Sequence, residues 1–475
     1  MPHASSDHPI IEHRGETVSN ALRRRLSVVE PRSLRTYTPS LAVIAKSAGC
    51  FHWTADGRKL ADFTSGVLVA NLGHNSRRWW ERVWAYLGLD AAQQIGDADN
   101  VDGDAAGFVA AAPLTAYNAA TELEILACER LLANLRAQPG GRRMEQVLWS
   151  ASGSEAIQKA LWACLARRPG SDIMLATRSG FHGKKGLAGA ITGGETDSDR
   201  DGRVHFVSFP TAECQNVARR REPIDLAPYC GELEHLWSEF GERIACLCTE
   251  PYLGGGGSFH PQREYLQLLG DFCRRHDIVF ILDEIQSNFG RTGPMYAFTR
   301  YGVEPDIVCL GKGLGNGIPV SAAVGRADVF AALKYGQASD TWSANPLASA
   351  AVLATLDEFE STDVLDRAAT LAGVLERGLL RLVETGAAAQ VRGEGVVWGI
   401  ECAAIGDHTA EEVANACVEA CYVGDEQGRA IHLLGPLAGK VLRISPPLVL
   451  APSEAETYLD VMHGLFTKVA RRFDG

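Results

Sequence analysis

The stretch VFILDEIQSNFGRTG, Val279 to Gly293, opens on four large apolar residues and stops abruptly at two acids. A run with no polar alternation is buried on both faces, as an interior strand of a parallel sheet covered by helices must be. Asp283 then falls at the carboxyl rim, where such sheets place their ligands. Outward from it, EQVLW, SDIMLAT, VHFVSF, IACLCTE and DIVCLG repeat the pattern between longer helical segments. The expectation is an α/β fold, with a large domain over 76–344 built on a mostly parallel sheet sandwiched by helices. Residues 1–75 read differently, because CFHWTADGRKLADF alternates across a D-G turn as an antiparallel hairpin does. Residues 345–475 open on an Ala-rich helix, pass through VRGEGVVWGIEC and KVLRISPPLVL, and close on a helix from Ser453 to about Phe473.

The chain has 475 residues, 46% hydrophobic and 22% charged, which is enough for two or three domains with sizeable cores. Its 46 basic against 58 acidic residues give a net charge of −12, so a protein-wide basic field for nucleic acid or anionic membrane is excluded. LRRRL, Leu22 to Leu26, reads as one solvated helix face. No apolar run approaches the roughly 20 residues that span a bilayer, and MPHASSDHPIIEHRGE lacks the apolar core of a signal peptide, so a cytoplasmic location is expected. The 12 cysteines are scattered without zinc-site spacing; buried free thiols and no metal are expected. Trp79, Trp80 and Trp84 are expected in the core. Asp97 to Pro113 is a long acidic, Ala- and Gly-rich connection.

Chemistry can sit in four places. In VLWSASGSEAIQKAL a strand runs through Ser-Gly-Ser into a helix near Ser154, which is either a seat for a phosphate or a plain N-cap. In ATRSGFHGKKG, Phe181 beside His182 can stack on a flat ligand or simply pack. Asp283 and Glu284 can hold a cation, but no nearby histidine or third carboxylate completes a metal site. Finally, VCLGKGLGNGIPVSAAVG, Val308 to Gly325, sets Lys312 among glycines just past a strand. It is not a Walker loop, since Gly313 stands where Ser or Thr would reach magnesium, nor a G-x-G-x-x-G, since Asn316 replaces the last glycine. A lysine there becomes a nucleophile once desolvation or condensation with a carbonyl lowers its pKa. A phosphate seat, a stacking ring, a carboxylate for a ring nitrogen and an amine for an aldehyde together describe pyridoxal 5'-phosphate.

These motifs, in this order and over nearly the whole chain, resemble the class III aminotransferases of pyridoxal-phosphate fold type I. DFTSGVLVANLGHN, SASGSEAIQKAL, GFHG, ILDEIQSNFGRTG, EPDIVCLGKGLGNGIPVSA, TWSANPLA and VLRISPPL each match a family segment. The resemblance implies a smaller α+β domain made from the N- and C-terminal segments, and a homodimer with shared active sites. It implies that Lys312 carries the cofactor as a Schiff base and Asp283 keeps its ring nitrogen protonated. Gly153 and Ser154 hold the phosphate, Phe181 stacks on the ring with His182 beside it, and Gln286 meets the phenolic oxygen. Thr341 reaches the phosphate of the neighbouring subunit's cofactor, and Arg443 takes a substrate carboxylate with two parallel hydrogen bonds. Some positions depart from the family. Gly255 stands where many glutamate-using relatives carry an acid, Asn288 replaces a glycine, and Ser343 with Ala344 replaces Gly-Gly.

The reaction implied is transfer of an amino group from an amine or amino acid to a carbonyl or 2-oxo acid acceptor. The same cofactor motifs serve an ammonia-releasing lyase or an aminomutase, and the missing acid at Gly255 leaves those alternatives open. A cofactor-binding protein without turnover would have lost Lys312 or Asp283, and both are present.

Overall fold

The computed structural model describes residues 10–89, 111–116, 119–197 and 200–474, so most of the acidic connection Asp97 to Pro113 lies outside the described residues. Its strands are β1 (Ile44–Ala48), β2 (Phe51–Thr54), β3 (Lys59–Asp62), β4 (Gln146–Ser150), β5 (Ile173–Thr177), β6 (Val204–Val207), β7 (Ile244–Thr249), β8 (Val279–Asp283), β9 (Ile307–Leu310), β10 (Ser321–Gly325), β11 (Ala388–Glu394), β12 (Val397–Cys402), β13 (Ala430–His432) and β14 (Val441–Ile444). Seven of them form the central sheet in the order β4-β10-β9-β8-β7-β5-β6. Only β10 runs against the others, pairing antiparallel with β9 and β4. All six apolar runs read from the sequence are strands of this sheet. The seventh, SAAVG, is fully buried but built of small residues, so it carries no large-apolar signal.

Both faces of the sheet are covered. Met174, Ala176, Cys246, Cys248, Val279, Ile281, Ile307 and Cys309 face one core, which includes Ile157, Ala160 and Leu161 of the helix Gly153–Arg167. Their neighbours Leu175, Leu247, Phe280, Leu282, Val308 and Leu310 face the other, with Leu266 and Leu269 of the helix Arg263–Arg275. Each large side chain so buried contributes roughly 1.5–3 kcal/mol, which fixes the register and holds the strand ends in place.

The hairpin at the D-G turn is β2 with β3, and Gly57 takes a φ of +82° that a side chain would strain. It belongs to a four-stranded sheet, β1-β2-β3-β13, in which β13 pairs parallel with β3. A third, antiparallel sheet is β11-β12-β14. The closing helix spans Pro452–Asp474 and buries Leu459, Met462, Phe466 and Val469 along one side. After β3 the backbone makes one left-handed turn, with φ of +50°, +59°, +70° and +61° at Ser65, Gly66, Val67 and Leu68. L-residues pay about 1–2 kcal/mol each for this. Asp62 Oδ1 offsets part of it by accepting from Thr64 N–H (2.8 Å), Thr64 Oγ1 (2.7 Å) and Ser65 N–H (3.2 Å).

Two expectations are corrected. Trp79 is core, with Nε1 donating to Thr355 Oγ1 at 3.0 Å, and Trp80 packs against it half-buried, but Trp84 is exposed. Arg23 of LRRRL is buried rather than solvated, because its guanidinium binds Glu16 and the hydroxyl of Tyr422. Ten of the 12 cysteines are buried and all are free. No helix among the described residues is long and apolar enough to cross a membrane.

Candidate active site

The strands β5, β7, β8 and β9 are neighbours and parallel, so the segments leaving their carboxyl ends converge on one rim. From β9 the chain passes through Gly311 to Lys312, whose φ is +51°. A Cβ at Gly311 would stand 2.6 Å from Ser321 Oγ and one at Gly313 2.6 Å from Asn71 Nδ2, so only glycine lets the backbone lie this close. Lys312 is half-buried, and its amine has no hydrogen bond or ion pair among the described residues. Burial first, then the Arg443 charge, pushes the amine down to about 7, against the pull of Asp283 and Glu250.

At the end of β8, Asp283 Oδ2 lies 2.8 Å from His182 Nδ1, and Oδ1 accepts from Ile285 N–H at 3.0 Å. Burial acts to lower the His182 pKa, yet the carboxylates of Asp283 and Glu250 hold it above its ordinary value. Its Nε2 is buried without a partner. After β7, Glu250 accepts from Phe181 N–H (2.9 Å) and Gly254 N–H (3.2 Å), and burial raises it to about 7. These bonds tie the Phe181 segment to the strand beside it, and leave the Phe181 ring 37% exposed and open for stacking. A Cβ at Gly255 would meet Phe181 Cβ at 3.0 Å, a tight contact in place of the acid carried by relatives.

The helix Gly153–Arg167 is closed by a capping box, in which Ser152 and Glu155 satisfy each other's backbone N–H groups. The N–H groups of Gly153 and Ser154 are left at its positive end without an acceptor among the described residues. Gly183, at φ +147°, runs against this turn so closely that a Cβ there would stand 2.3 Å from Ser154 Oγ. A Cβ on Gly153 would likewise lie 2.8 Å from Ile285 Cδ1, so the seat adjoins the Asp283 loop.

Arg443, on β14, is buried and donates to Gln286 Oε1 at 3.2 Å. It has no carboxylate partner among the described residues, its Nε is orphaned, and burial lowers its pKa. A buried guanidinium in that state is short of an anion. Thr341 is not brought into this group within the chain. It is exposed, and its carbonyl accepts from Thr115 Oγ1 at 3.3 Å.

Three residues were missed by the reading of the sequence. Glu250 follows an apolar strand as Asp283 does, and the same argument finds it. Tyr252, buried with an orphaned hydroxyl in the field of Arg443, stands in EPYLGGGG with nothing to mark it. Arg291, fully buried, donates to the carbonyls of Val396 (3.0 Å) and Pro446 (2.6 Å) and to Ser65 Oγ (3.1 Å) and Asn71 Oδ1. Its partners are scattered across the chain, so no local pattern reveals them.

The residues fit pyridoxal 5'-phosphate. An unpaired amine, a fixed carboxylate, an uncovered ring and two free N–H donors at a helix end supply the contacts that its aldehyde, ring nitrogen, ring face and phosphate require. Residues 105–466 match the family model "Aminotransferase class-III". Acetylornithine aminotransferase of Methanothermobacter thermautotrophicus is 28% identical over 90% of this chain and 95% of its own. A leucine/methionine racemase of Thermococcus litoralis is also 28% identical, over 92% and 93%. Among solved structures, an amine transaminase from an uncultivated Pseudomonas species in its PLP-bound form superimposes with a TM-score of 0.74 at 28% identity, covering 92% of this chain and 96% of that one. The chain belongs to the class III aminotransferases, and is a fold type I enzyme that depends on pyridoxal 5'-phosphate.

Proposed function

We propose that the enzyme moves an amino group from a carboxylate-bearing amine or amino acid to a 2-oxo acid or related carbonyl acceptor, with Lys312 as covalent anchor and proton carrier. The observation that carries this reading is the pair of cationic groups without a carboxylate partner among the described residues, Lys312 at the rim and Arg443 buried nearby, each within the field of Glu250. When bound, pyridoxal phosphate supplies an aldehyde that condenses with amines and a ring that takes up the electron pair left when a carbon loses its proton.

The chain's own residues do the rest. With the group bound, Lys312 Nζ would take up and return the substrate α-proton, and its surroundings already favour the neutral amine that does so. Asp283 would accept a hydrogen bond from the protonated ring nitrogen, with His182 fixing that carboxylate's direction. Gly153 and Ser154 would bind phosphate oxygens, and Phe181 would cover one ring face and keep water off it. Gln286, bonded to Arg443, stands to serve the phenolic oxygen, and Arg443 takes the substrate carboxylate. Release of ammonia by elimination and internal migration of the amino group are not favoured, because relatives matched over nearly the whole chain include acetylornithine, omega- and 4-aminobutyrate aminotransferases.

The partition into 1–75, 76–344 and 345–475, with the outer segments forming one smaller unit, is supported by the pairing of β13 with β3. A homodimer is supported by the exposure of Thr341 and Trp342, which gives Thr341 a role only across an interface. Twelve unpaired cysteines support a cytoplasmic enzyme.

The test is a half-reaction. Holoenzyme is mixed with amines that carry or lack a carboxylate, without acceptor, and the cofactor spectrum and product masses are followed. Amination of the cofactor by carboxylate-bearing donors is expected. No amination by any donor sinks the transferase reading, and amination only by carboxylate-free donors removes Arg443 from it.

A further inference from the structure

Away from the Lys312 rim, the small sheet gathers three histidines around one buried aspartate. Asp62 Oδ2 lies 2.8 Å from His74 Nε2 and 3.5 Å from His52 Nε2. The three atoms all fall within 4.8 Å of one another. They come from β2, β3 and the segment after the left-handed turn, at positions 52, 62 and 74, so no short spacing announces them. A tetrahedral ion with bonds of about 2.0–2.1 Å has ligand-to-ligand edges of about 3.3 Å. The distances of 2.8 and 3.5 Å bracket that edge, and the third, between the two histidine nitrogens, is at most 4.8 Å, so the side chains need only close around the ion.

The shell behind these atoms is also that of a metal site. Nδ1 of His52 lies 2.7 Å from Ser47 Oγ, which turns Nε2 toward Asp62 and fixes the ring. Asp62 Oδ1 is taken by the N–H groups of Thr64 and Ser65 and the Thr64 hydroxyl, so Oδ2 alone faces the histidines. His432 stands opposite Asp62 in the β13–β3 pairing, its ring centroid 5.4 Å from that of His52. Its Nδ1 is shut off from solvent without a hydrogen-bond partner. His74 also lines a cavity of about 260 Å³ with Ser65, Trp80 and Asn316.

We propose that His52 Nε2, Asp62 Oδ2 and His74 Nε2 form a binding site for a first-row divalent cation, Zn²⁺ foremost. Two imidazoles and one carboxylate are three of the four ligands that a tetrahedral zinc ion takes, and a water would supply the fourth. The ion takes the place of the proton between His74 and Asp62, and fastens β2 and β3 to the segment that follows the strained turn. Because Asp62 also caps that turn, occupancy stiffens it.

The experiment uses full-length holoenzyme stripped with a chelator and titrated with Co²⁺ alone, then with Zn²⁺ in competition. The expected result is one equivalent of Co²⁺ with ligand-field absorption, displaced by Zn²⁺, and a melting temperature that rises with either ion. His52→Gln removes a ligand and should abolish the absorption. Ser47→Ala keeps all three ligands and should weaken binding by about 10- to 100-fold, deciding the matter should His52→Gln not fold. Absence of Co²⁺ absorption in the unsubstituted enzyme, or equal affinity in it and in the folded variants, overturns the proposal and leaves a His–Asp–His hydrogen-bond cluster.

Discussion

At the scale of single residues, the enzyme turns on an amine that is half neutral at pH 7. Lys312 has a lowered pKa, so its nucleophilic form grows as pH rises through about 7 rather than through the ordinary lysine range near 10.4. The rate at which cofactor-free enzyme captures pyridoxal phosphate should therefore climb between about pH 6 and 8 and flatten above it. Stopped-flow absorbance measures this, and a rate still climbing at pH 10 contradicts it. Arg443 predicts a split in specificity. Charge-assisted hydrogen bonds contribute about 1.5–3 kcal/mol, so Arg443→Ala should raise KM for a carboxylate-bearing donor by about 10- to 150-fold and leave simple amines nearly unchanged. Gly255 carries a sharper expectation. Gly255→Glu should not confer glutamate turnover, because its Cβ presses on Phe181. Weaker cofactor retention, read by equilibrium dialysis, is the expected result instead. Lys312 and Asp283 were legible from the sequence because strand ends announce them. Tyr252 and Arg291 were not, since their partners come from distant segments.

At the scale of elements, the left-handed turn Ser65–Leu68 is the costliest piece of backbone described. Val67 is β-branched, sits at φ +70° and is 40% exposed, so its side chain gains little from burial to set against the strain. Val67→Gly should stabilise the protein by on the order of 1 kcal/mol in urea unfolding. A loss of stability would show that Val67 packing outweighs its dihedral strain. The central strands were legible because each is a run of large apolar residues ending in a polar or glycine-rich rim. β10 was hidden by its small residues, and Arg23 by a charge pattern that reads as solvated until Glu16 and Tyr422 are placed beside it. Asp62 and His74 sat inside a quoted motif, but the sheet that brings His52 to them is tertiary.

At the scale of the whole molecule, the site draws on both ends of the chain. The Lys312 rim belongs to the central sheet, Arg443 to β14, and the left-handed turn to the N-terminal segment. Thr341, exposed here, gains a role only if a second copy covers it, so Thr341→Ala should weaken cofactor retention while thermal melting and the mass in solution stay unchanged. Cofactor affinity equal to that of the unsubstituted enzyme would argue against a shared site. Arg291 adds a constraint of another kind. Its guanidinium is held by Ser65, Asn71, Val396 and Pro446, positions nearly 400 residues apart. During synthesis the first two acceptors and the arginine itself leave the ribosome long before the last one. The cation must wait in water until Pro446 arrives, since burying it earlier leaves it short of partners. Full satisfaction of the buried Arg291 is thereby tied to the docking of a segment 155 residues further along the chain.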